Sequence, residues 1–345
     1  MRKFYCCSIM FLVSVFALLG ASPAMAIHPQ VPLHALMNQS AKVTLPETSI
    51  AGPALWDRAS TSGGVGPAAV IAWTGTDPDH SLNIETSTDG LDFANKATLS
   101  EFALTAPAVL VVNNTTVVIA WVGTDPHHSL NVIYDALGTR QKLTLSDNSD
   151  APPSLALLNG NIFLAWRGTD LQHLLNVRNL GPQGLTVGPA TTLTQYTTLA
   201  GPSLATDPNL HQLLLSWTDT GNSVYLPAHA PLINFLASTD GLNWHTVLPA
   251  PAPQTSIAGP AILAISPPHN FPKYYWSWTG TDPAHSLNLA TTSNISNWAD
   301  PVTTLNEQSF GAPALGYIGT HAGQIFLAWT GVDPDHSLNV AVFTV

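Results

Sequence analysis

The chain has 345 residues, of which only 9% are charged, and its formal net charge is −11 at pH 7. A chain of this kind lacks the basic surface that attracts nucleic acids and anionic membranes. We therefore expect no nucleic-acid partner and no binding to an anionic bilayer. The length allows one large all-β domain or two domains of ordinary size.

The first 26 residues have the pattern of a secretory signal peptide. A basic start precedes an apolar run over residues 6–20, and Ala-Met-Ala follows at 24–26. The run is shorter than a membrane span, so we predict cleavage near Ala26 and a secreted protein, extracellular or periplasmic, with no membrane span. Cys6 and Cys7 leave with the peptide, so the mature chain has no disulfide, thiol nucleophile or cysteine metal ligand.

A motif of the form Trp-x-Gly-x-Asp-x-x-His-x-Leu-Asn recurs through the rest of the chain. A Gly-Pro, Ala-Pro or Pro-Pro pair precedes each copy, and in most repeats a Thr-Leu segment follows. Repetition at this interval is typical of arrays of one supersecondary unit. The motif tryptophans are Trp73, Trp121, Trp166, Trp217, Trp278 and Trp329.

Each repeat has the pattern of four short strands. The first starts at the proline, where a strand tolerates one, the second ends in the tryptophan, the third carries Leu-Asn and the fourth Thr-Leu. No segment of the mature chain has a sustained helical period. Four strands per repeat and six repeats predict an all-β fold, a six-bladed β-propeller with four-stranded blades.

The last repeat ends after its third strand, and the missing fourth strand has a candidate near the N-terminus. Residues 41–50 match the fourth-strand sequence at 95–104. We predict that this N-terminal strand is added to the C-terminal blade and closes the ring, so that no sheet edge is left open there. The predicted organisation is a signal peptide over 1–26, a lead-in segment over 27–40 and the propeller over 41–345.

The fourth repeat departs from the motif. It is seven residues longer between its Trp and its Asn, it lacks the motif Gly, and Pro231 stands in place of the His. Such an insertion is either tolerated drift or a ligand-contacting loop. In the second case we expect the loop to border a single asymmetric site, with Tyr225, His229 and, from the preceding turn, Arg167 as candidate ligand-binding residues.

The repeated turn residues allow two interpretations. In the structural one, the Asp caps turn amides, the His donates to that Asp or to a carbonyl, the Asn satisfies a buried backbone group and the Trp packs between blades. We favour it for Trp, Asp and Asn. In the functional one, the turns share one face with the links between blades and form a polar ring suited to sugars. That candidate ring consists of Asp77, His80, Asp125, His128, Asp170, His173, Asp282, His285, Asp333 and His336.

A metal at these turns is not expected. Each Asp-x-x-His offers two ligands of mixed hardness, whereas a closed zinc site takes four ligands and calcium prefers oxygen alone. We therefore predict no metal and no cofactor.

Two further turns carry a family resemblance. The sequences STDGLDF at 87–93 and STDGLNW at 238–244 resemble the Asp-box of the sialidase-like propellers, each one residue shorter than the family pattern. The whole repeat is similar to the tandem arrays of exported bacterial propeller proteins of that type. The resemblance implies their fold. A sialidase also needs an arginine triad, a Tyr–Glu nucleophile pair and an acidic Asp, and this set is not visible in a mature chain with four arginines and four glutamates.

The sequence thus favours a secreted, monomeric, non-catalytic binding module of lectin-like type, with a glycan or cell-surface carbohydrate as its partner. One alternative is a glycoside hydrolase of sialidase-like architecture with a divergent site, for which two facing carboxylates would suffice. The other alternative is a structural or protein-interaction propeller. Enzymatic activity is not expected, and glycoside hydrolysis is the activity to test.

Overall fold

A computed structural model describes residues 38–57, 69–113, 116–136, 138–220, 231–247, 254–266, 274–296, 302–317 and 324–344. These residues form 24 strands in six four-stranded antiparallel sheets. The predicted six-bladed β-propeller with four-stranded blades is confirmed. Within these ranges no helix combines the length and apolar character needed to cross a bilayer.

The first three blades follow the chain without interruption. In each blade the strands pair in sequence order, from an inner strand beside the central axis to an outer strand at the perimeter. Blade 1 contains β2 (Ala54–Asp57), β3 (Ala69–Thr74), β4 (Ser81–Ser87) and β5 (Phe93–Phe102). Blade 2 contains β6 (Ala108–Asn113), β7 (Thr116–Val122), β8 (Ser129–Ala136) and β9 (Thr139–Asn148). Blade 3 contains β10 (Ser154–Leu158), β11 (Asn161–Arg167), β12 (Leu174–Asn179) and β13 (Ala190–Thr197).

Among the last three blades, blade 4 has a very short outer strand, and blade 6 takes its outer strand from the N-terminal end of the described chain. Blade 4 contains β14 (Ser203–Asp207), β15 (Gln212–Thr218), β16 (Ile233–Ser238) and the two-residue β17 (His245–Thr246). Blade 5 contains β18 (Ala261–Ala264), β19 (Tyr274–Thr279), β20 (Ser286–Thr292) and β21 (Thr303–Gln308). Blade 6 contains β22 (Ala314–Tyr317), β23 (Gln324–Thr330), β24 (Ser337–Thr344) and, as its outer strand, β1 (Asn38–Thr48).

Strand β1 pairs antiparallel with β24, although the two lie at opposite ends of the described chain. Val43 faces Val340 and Thr44 faces Asn339 in this register. The strand begins at Asn38, so the last three residues of the predicted 27–40 lead-in belong to the sheet. Apolar residues of β1 also pack against the core between blades 6 and 1, where Leu45 is buried.

Adjacent blades are held together by apolar faces. Each second strand is almost entirely buried because blades cover both of its sides, and β3 and β19 are buried along their whole length. Trp73 of blade 1 packs with Phe326 and Ala328 of blade 6. Each large aromatic plate therefore contributes to an interface between neighbouring blades, as the sequence predicts.

A cation covers four of the six motif tryptophans. Its nitrogen or guanidinium carbon lies 5.1–6.0 Å from the ring centroid, within reach of a cation–π interaction. Each cation also pairs with a carboxylate on the outer strand of the preceding blade. The sets of tryptophan, cation and carboxylate are Trp73, Lys96 and Glu47; Trp121, Lys142 and Glu101; Trp166, Arg178 and Asp147; and Trp329, Lys42 and Glu307.

In the other two blades the motif tryptophan contacts an aromatic ring. Tyr196 meets Trp217 edge-on with 5.1 Å between ring centroids, and Trp276 stacks on Trp278 at 4.2 Å. Three of the four glutamates are thereby engaged between blades rather than at a common site.

Deleting residues 41–50 tests the role of β1. The deletion leaves blade 6 with three strands and an open edge, so we expect aggregation or the loss of much of the roughly 5–15 kcal/mol by which domains are stable. Thermal unfolding of the chain from residue 27 onward, with and without the deletion, measures this. A matched deletion of residues 27–37, which lie outside the described ranges, is expected to change little. A 41–50 deletion that melts like the intact protein would contradict the assignment.

Candidate functional site

The motif turn, which joins the second and third strands of a blade, is organised by its aspartate. In blade 1 the Asp77 carboxylate accepts hydrogen bonds from the Ser81 amide at 3.1–3.2 Å and from the Ser81 hydroxyl at 2.9 Å. Asp125, Asp282 and Asp333 make the equivalent bonds to the serine four residues later. Asp170 binds the Leu174 amide in the same way. All five ring aspartates therefore cap their own turns.

The motif Gly and Asn complete the turn. The Asn83 side-chain nitrogen donates to the Ser81 backbone carbonyl at 2.8 Å, and the Asn83 side-chain oxygen accepts from the Thr98 hydroxyl at 2.7 Å. A Cβ added to Gly75 would lie 2.5 Å from an Asp77 carboxylate oxygen and 3.0 Å from the Asn83 nitrogen. Only glycine leaves room for both groups.

The motif histidine is set by its backbone conformation. All five histidines have φ between 52° and 56°, the left-handed region that few side chains adopt and His tolerates better than most. In blade 1 the His80 amide donates to the Asp77 carbonyl at 2.9 Å, and the His80 carbonyl accepts from the Ala103 amide at 3.0 Å. The imidazoles, each partly exposed, stay at the surface of the turn.

Blade 4 builds the same cap from a different residue. Asp219 stands at the glycine position of the motif, and its carboxylate accepts from the Leu232 amide at 3.3 Å and the Asn234 side chain at 3.1 Å. The Pro231 carbonyl accepts from the Ser256 amide, as a histidine carbonyl does in the other blades. The proposed loop residues Tyr225 and His229 lie outside the described residues.

The turns and the links share one face, as expected from the topology. The link between blades 6 and 1 donates from the Ile50 amide to the Thr74 carbonyl, immediately before a motif turn. We call this surface the turn face, and we call the contact of a link with the next turn a junction. We count a link from the residue whose amide bonds the carbonyl of a motif histidine, or of Pro231 in blade 4. The second link residue is apolar at five junctions and is Asp150 at the sixth; the apolar residues are Ile50, Leu104, Leu199, Ile257 and Phe310.

The charged exception forms a cluster with Arg167. The Arg167 guanidinium lies 3.5 Å from the Asp150 carboxylate and donates to the Leu199 carbonyl at 3.1 Å. His173 lies 4.0 Å from the same carboxylate, and its ring nitrogen is 3.4 Å from the Gly168 carbonyl. Arg167 thus connects the links on both sides of blade 3.

The electrostatics of the turn face are set by ionised aspartates. Burial acts to raise the pKa of Asp77, Asp125, Asp282 and Asp333, but hydrogen bonds from the serine hydroxyl and turn amides outweigh it and hold each pKa below its usual value. Within the described ranges no group of three or more His, Cys, Asp or Glu side chains is placed to hold a metal ion.

A central channel opens along the propeller axis. It has a volume of about 600 Å³ and is lined by residues 52–56, 106–113, 152–157, 200–206, 257–264 and 312–315. These are the links and inner strands of all six blades. None of the described lining residues carries a titratable side chain.

Glu85 is the described carboxyl group whose pKa is raised. Burial is the main cause, the nearby Glu47 adds to it, and Lys96 opposes it. The residue is 6% exposed and lies on the β4 face that carries Asn83 and packs against blade 6. Its surroundings are therefore the interface between blades 6 and 1, not the channel.

The two turns that resemble the Asp-box lie between third and outer strands, at the end of the blade opposite the motif turns. Asp240 accepts from the amides of Leu242 and Asn243 at 2.8 Å, and these bonds, with that from the Asn243 side chain, lower its pKa. The Trp244 indole donates to the Gly241 carbonyl at 3.2 Å. Here too the aspartate caps a turn.

No family model matches the chain, and no curated protein matches it. Among solved structures, an α-L-arabinofuranosidase from Fusarium graminearum in complex with an iminosugar inhibitor aligns at a TM-score of 0.60 and 12% identity, covering 89% of this chain and 98% of that one. A Hadza microbial sialidase aligns at 0.62 and 14%, covering 86% and 66%. The protein AofleA from Arthrobotrys oligospora aligns at 0.60 and 13%, covering 88% and 86%. At these identities the similarity shows the fold.

Replacing Glu85 by isoleucine tests its buried setting. Blade 2 carries Ile133 at the equivalent position, opposite Ile119, so an isoleucine at position 85 would face Ile71 in the same way. Because the pKa of Glu85 is raised above the usual 4.5, its contribution to stability is complete below 4.5 and is lost as pH rises through the raised value. We expect Glu85→Ile to be more stable than the wild type at pH 7, with a smaller gain at pH 4.

Thermal unfolding of both proteins from pH 4 to 8 measures this gap. Glu85→Gln is the isosteric control, and it removes the ionisation without adding apolar surface. A gap that stays constant or narrows as pH rises would contradict the buried-carboxyl assignment.

Proposed function

We propose that the protein is a secreted, non-catalytic carbohydrate-binding propeller whose turn face carries the binding sites. One observation carries the proposal: five imidazoles occur on one face in one backbone conformation, each in a turn whose aspartate is already occupied. Five equivalent positions around an axis give a multivalent surface, on which several weak sites together bind a glycan array tightly.

The chemistry of these positions suits sugars. An imidazole nitrogen donates to or accepts from a hydroxyl group, and the aliphatic or aromatic link residue offers an apolar surface to sugar C–H groups. The ring aspartates share the site with these histidines, but their oxygens already accept bonds within the turn. We therefore assign the direct contacts to His80, His128, His173, His285 and His336, and assign to the aspartates the role of fixing the turns.

Two of the structural relatives support a carbohydrate ligand. One is named as an α-L-arabinofuranosidase and was seen with an iminosugar inhibitor, and another is named as a sialidase. The signal-peptide pattern of residues 1–26 supports secretion. A single copy of the chain carries all five imidazoles, so a monomer is sufficient for multivalent binding.

Hydrolysis is the less favoured function. A glycosidase needs a carboxylic acid that holds its proton near neutral pH and a second carboxylate across the bond to be cleaved. Four of the five ring aspartates have lowered pKa values, and the raised carboxyl of Glu85 is buried between blades. The described wall of the central channel offers no acid at all.

Replacing all five ring histidines by asparagine tests the proposal. Asparagine tolerates the left-handed conformation, so the turns are expected to persist, whereas alanine would add backbone strain at each site. We expect the melting temperature to stay close to that of the wild type while binding to a glycan array falls to background.

The matched control is His211→Asn. This histidine also has a left-handed φ, of 51°, but it lies in a hairpin between an inner and a second strand, at the opposite end of the blade. Its replacement is expected to leave binding unchanged. A five-site variant that folds and binds glycans like the wild type would overturn the proposal.

A further inference from the structure

The junction between blades 5 and 6 differs from the other five. Its second link residue is Phe310, the one aromatic side chain at that position, and it is 45% exposed. The neighbouring turn carries Val332, also 45% exposed, where the other regular turns have threonine. Two exposed apolar side chains thus replace smaller or polar ones at a single junction.

The aromatic ring has a fixed partner. The Phe310 and His336 rings lie 4.1 Å apart, centroid to centroid, with 31° between their planes. Both backbones are held in place, since the Phe310 amide donates to the Thr330 carbonyl at 2.9 Å and the His336 amide donates to the Asp333 carbonyl at 3.0 Å. The pair is therefore a preorganised platform, which lowers the entropic cost of binding.

The side-chain amide of Gln308 is exposed at this junction. At three other junctions a threonine two residues before the apolar link residue bonds to a threonine of the next turn: Thr48 with Thr76 at 2.6 Å, Thr197 with Thr220 at 2.8 Å, and Thr255 with Thr281 at 2.8 Å. Gln308 and Val332 occupy these two positions here. Valine has no hydroxyl, so this bond is absent and an exposed amide stands at the junction.

The charges favour a neutral ligand. The turn that carries His336 also carries Asp333, which its hydrogen bonds keep ionised, and the exposed Asp335. The cation on the adjoining outer strand, Lys42, is already paired with Glu307. An acidic sugar would meet like charge at this junction.

We propose that Phe310 and His336 form a stacking platform for a neutral pyranose at the junction of blades 5 and 6, and that this site discriminates against acidic sugars. The proposal rests on the carbohydrate-binding function above and assigns it a principal site. The apolar C–H face of the sugar packs on Phe310, while the His336 imidazole and the Gln308 amide bond its hydroxyls.

Titration with monovalent methyl glycosides tests the site without avidity. The probes are the methyl glycosides of galactose, glucose, mannose and N-acetylglucosamine, with that of N-acetylneuraminic acid as the acidic probe. We expect the mature protein to bind at least one neutral probe more tightly than the acidic one. Phe310→Ala is expected to weaken that binding about tenfold, the scale of one aromatic contact. Phe310→Tyr, which keeps an aromatic ring, is expected to bind like the wild type.

Leu210→Ala is the matched control, because Leu210 is 55% exposed and lies in the hairpin between β14 and β15, at the end of blade 4 opposite the turn face. It is expected to bind like the wild type, and thermal unfolding verifies that each variant is folded. The site is overturned if Phe310→Ala binds like the wild type or if the acidic probe binds as tightly as the neutral ones. If the five-histidine variant loses glycan binding while Phe310→Ala does not, the general function stands and this site falls. Failure of the wild type to bind any probe overturns the site. Failure of the wild type to bind any glycan on the array overturns both the site and the carbohydrate-binding function.

Discussion

In all six blades a carboxylate lies within the turn between the second and third strands and accepts hydrogen bonds from the chain that leaves it. The rest of the structure depends on this cap. It sets the register in which Trp73 faces Asn83 and Asn83 faces Thr98, and this row recurs in the other regular blades. A correct row places each tryptophan against the neighbouring blade. Hydrogen bonds to a charged acceptor are stronger than those between neutral groups, so each cap stabilises the turn that leads into the third strand.

Blade 4 shows that the position of the carboxylate matters more than the residue that supplies it. The motif Gly is replaced by Asp219, yet a carboxylate again bonds the amide of the returning strand and the side chain at the motif Asn position, here Asn234. In the regular blades the capping carboxylate belongs to the motif Asp, two residues after the motif Gly. Because the cap is retained, the fold accommodates an inserted segment between 219 and 231 without loss of the second and third strands.

The blade count, the four strands per blade, the buried tryptophans and the capping role of the aspartates were predictable from the repeat, because each is dictated by a residue that recurs at fixed spacing. Other features were not. The left-handed φ of the histidines is a backbone property that no side-chain pattern reports. The cation over four of the six tryptophans is paired with a carboxylate of the preceding blade, and in blade 3 Arg178 reaches that place from the third strand rather than the outer one. The lysines and glutamates of the Thr-Leu segments were the sequence signal from which these ion pairs could have been predicted. Residues of the blade 4 loop, including Tyr225 and His229, remain candidates from the sequence alone.

In our proposal the motif separates two tasks within one turn: the aspartate holds the turn, and the imidazole contacts the ligand. Beyond the blade 4 turn, the repeats also vary at the junctions, where Asp150 with Arg167 and Phe310 with Val332 replace the common residues. The most direct test of this division is a nuclear magnetic resonance titration of the chain from residue 27 onward with a glycan selected on the array, following imidazole C–H and backbone amide signals together. We expect shifts of the turn histidine imidazoles, with the capped serine amides of residues 81, 129, 286 and 337 little changed. Shifts confined to amides that line the central channel, with the imidazoles unmoved, would contradict this division.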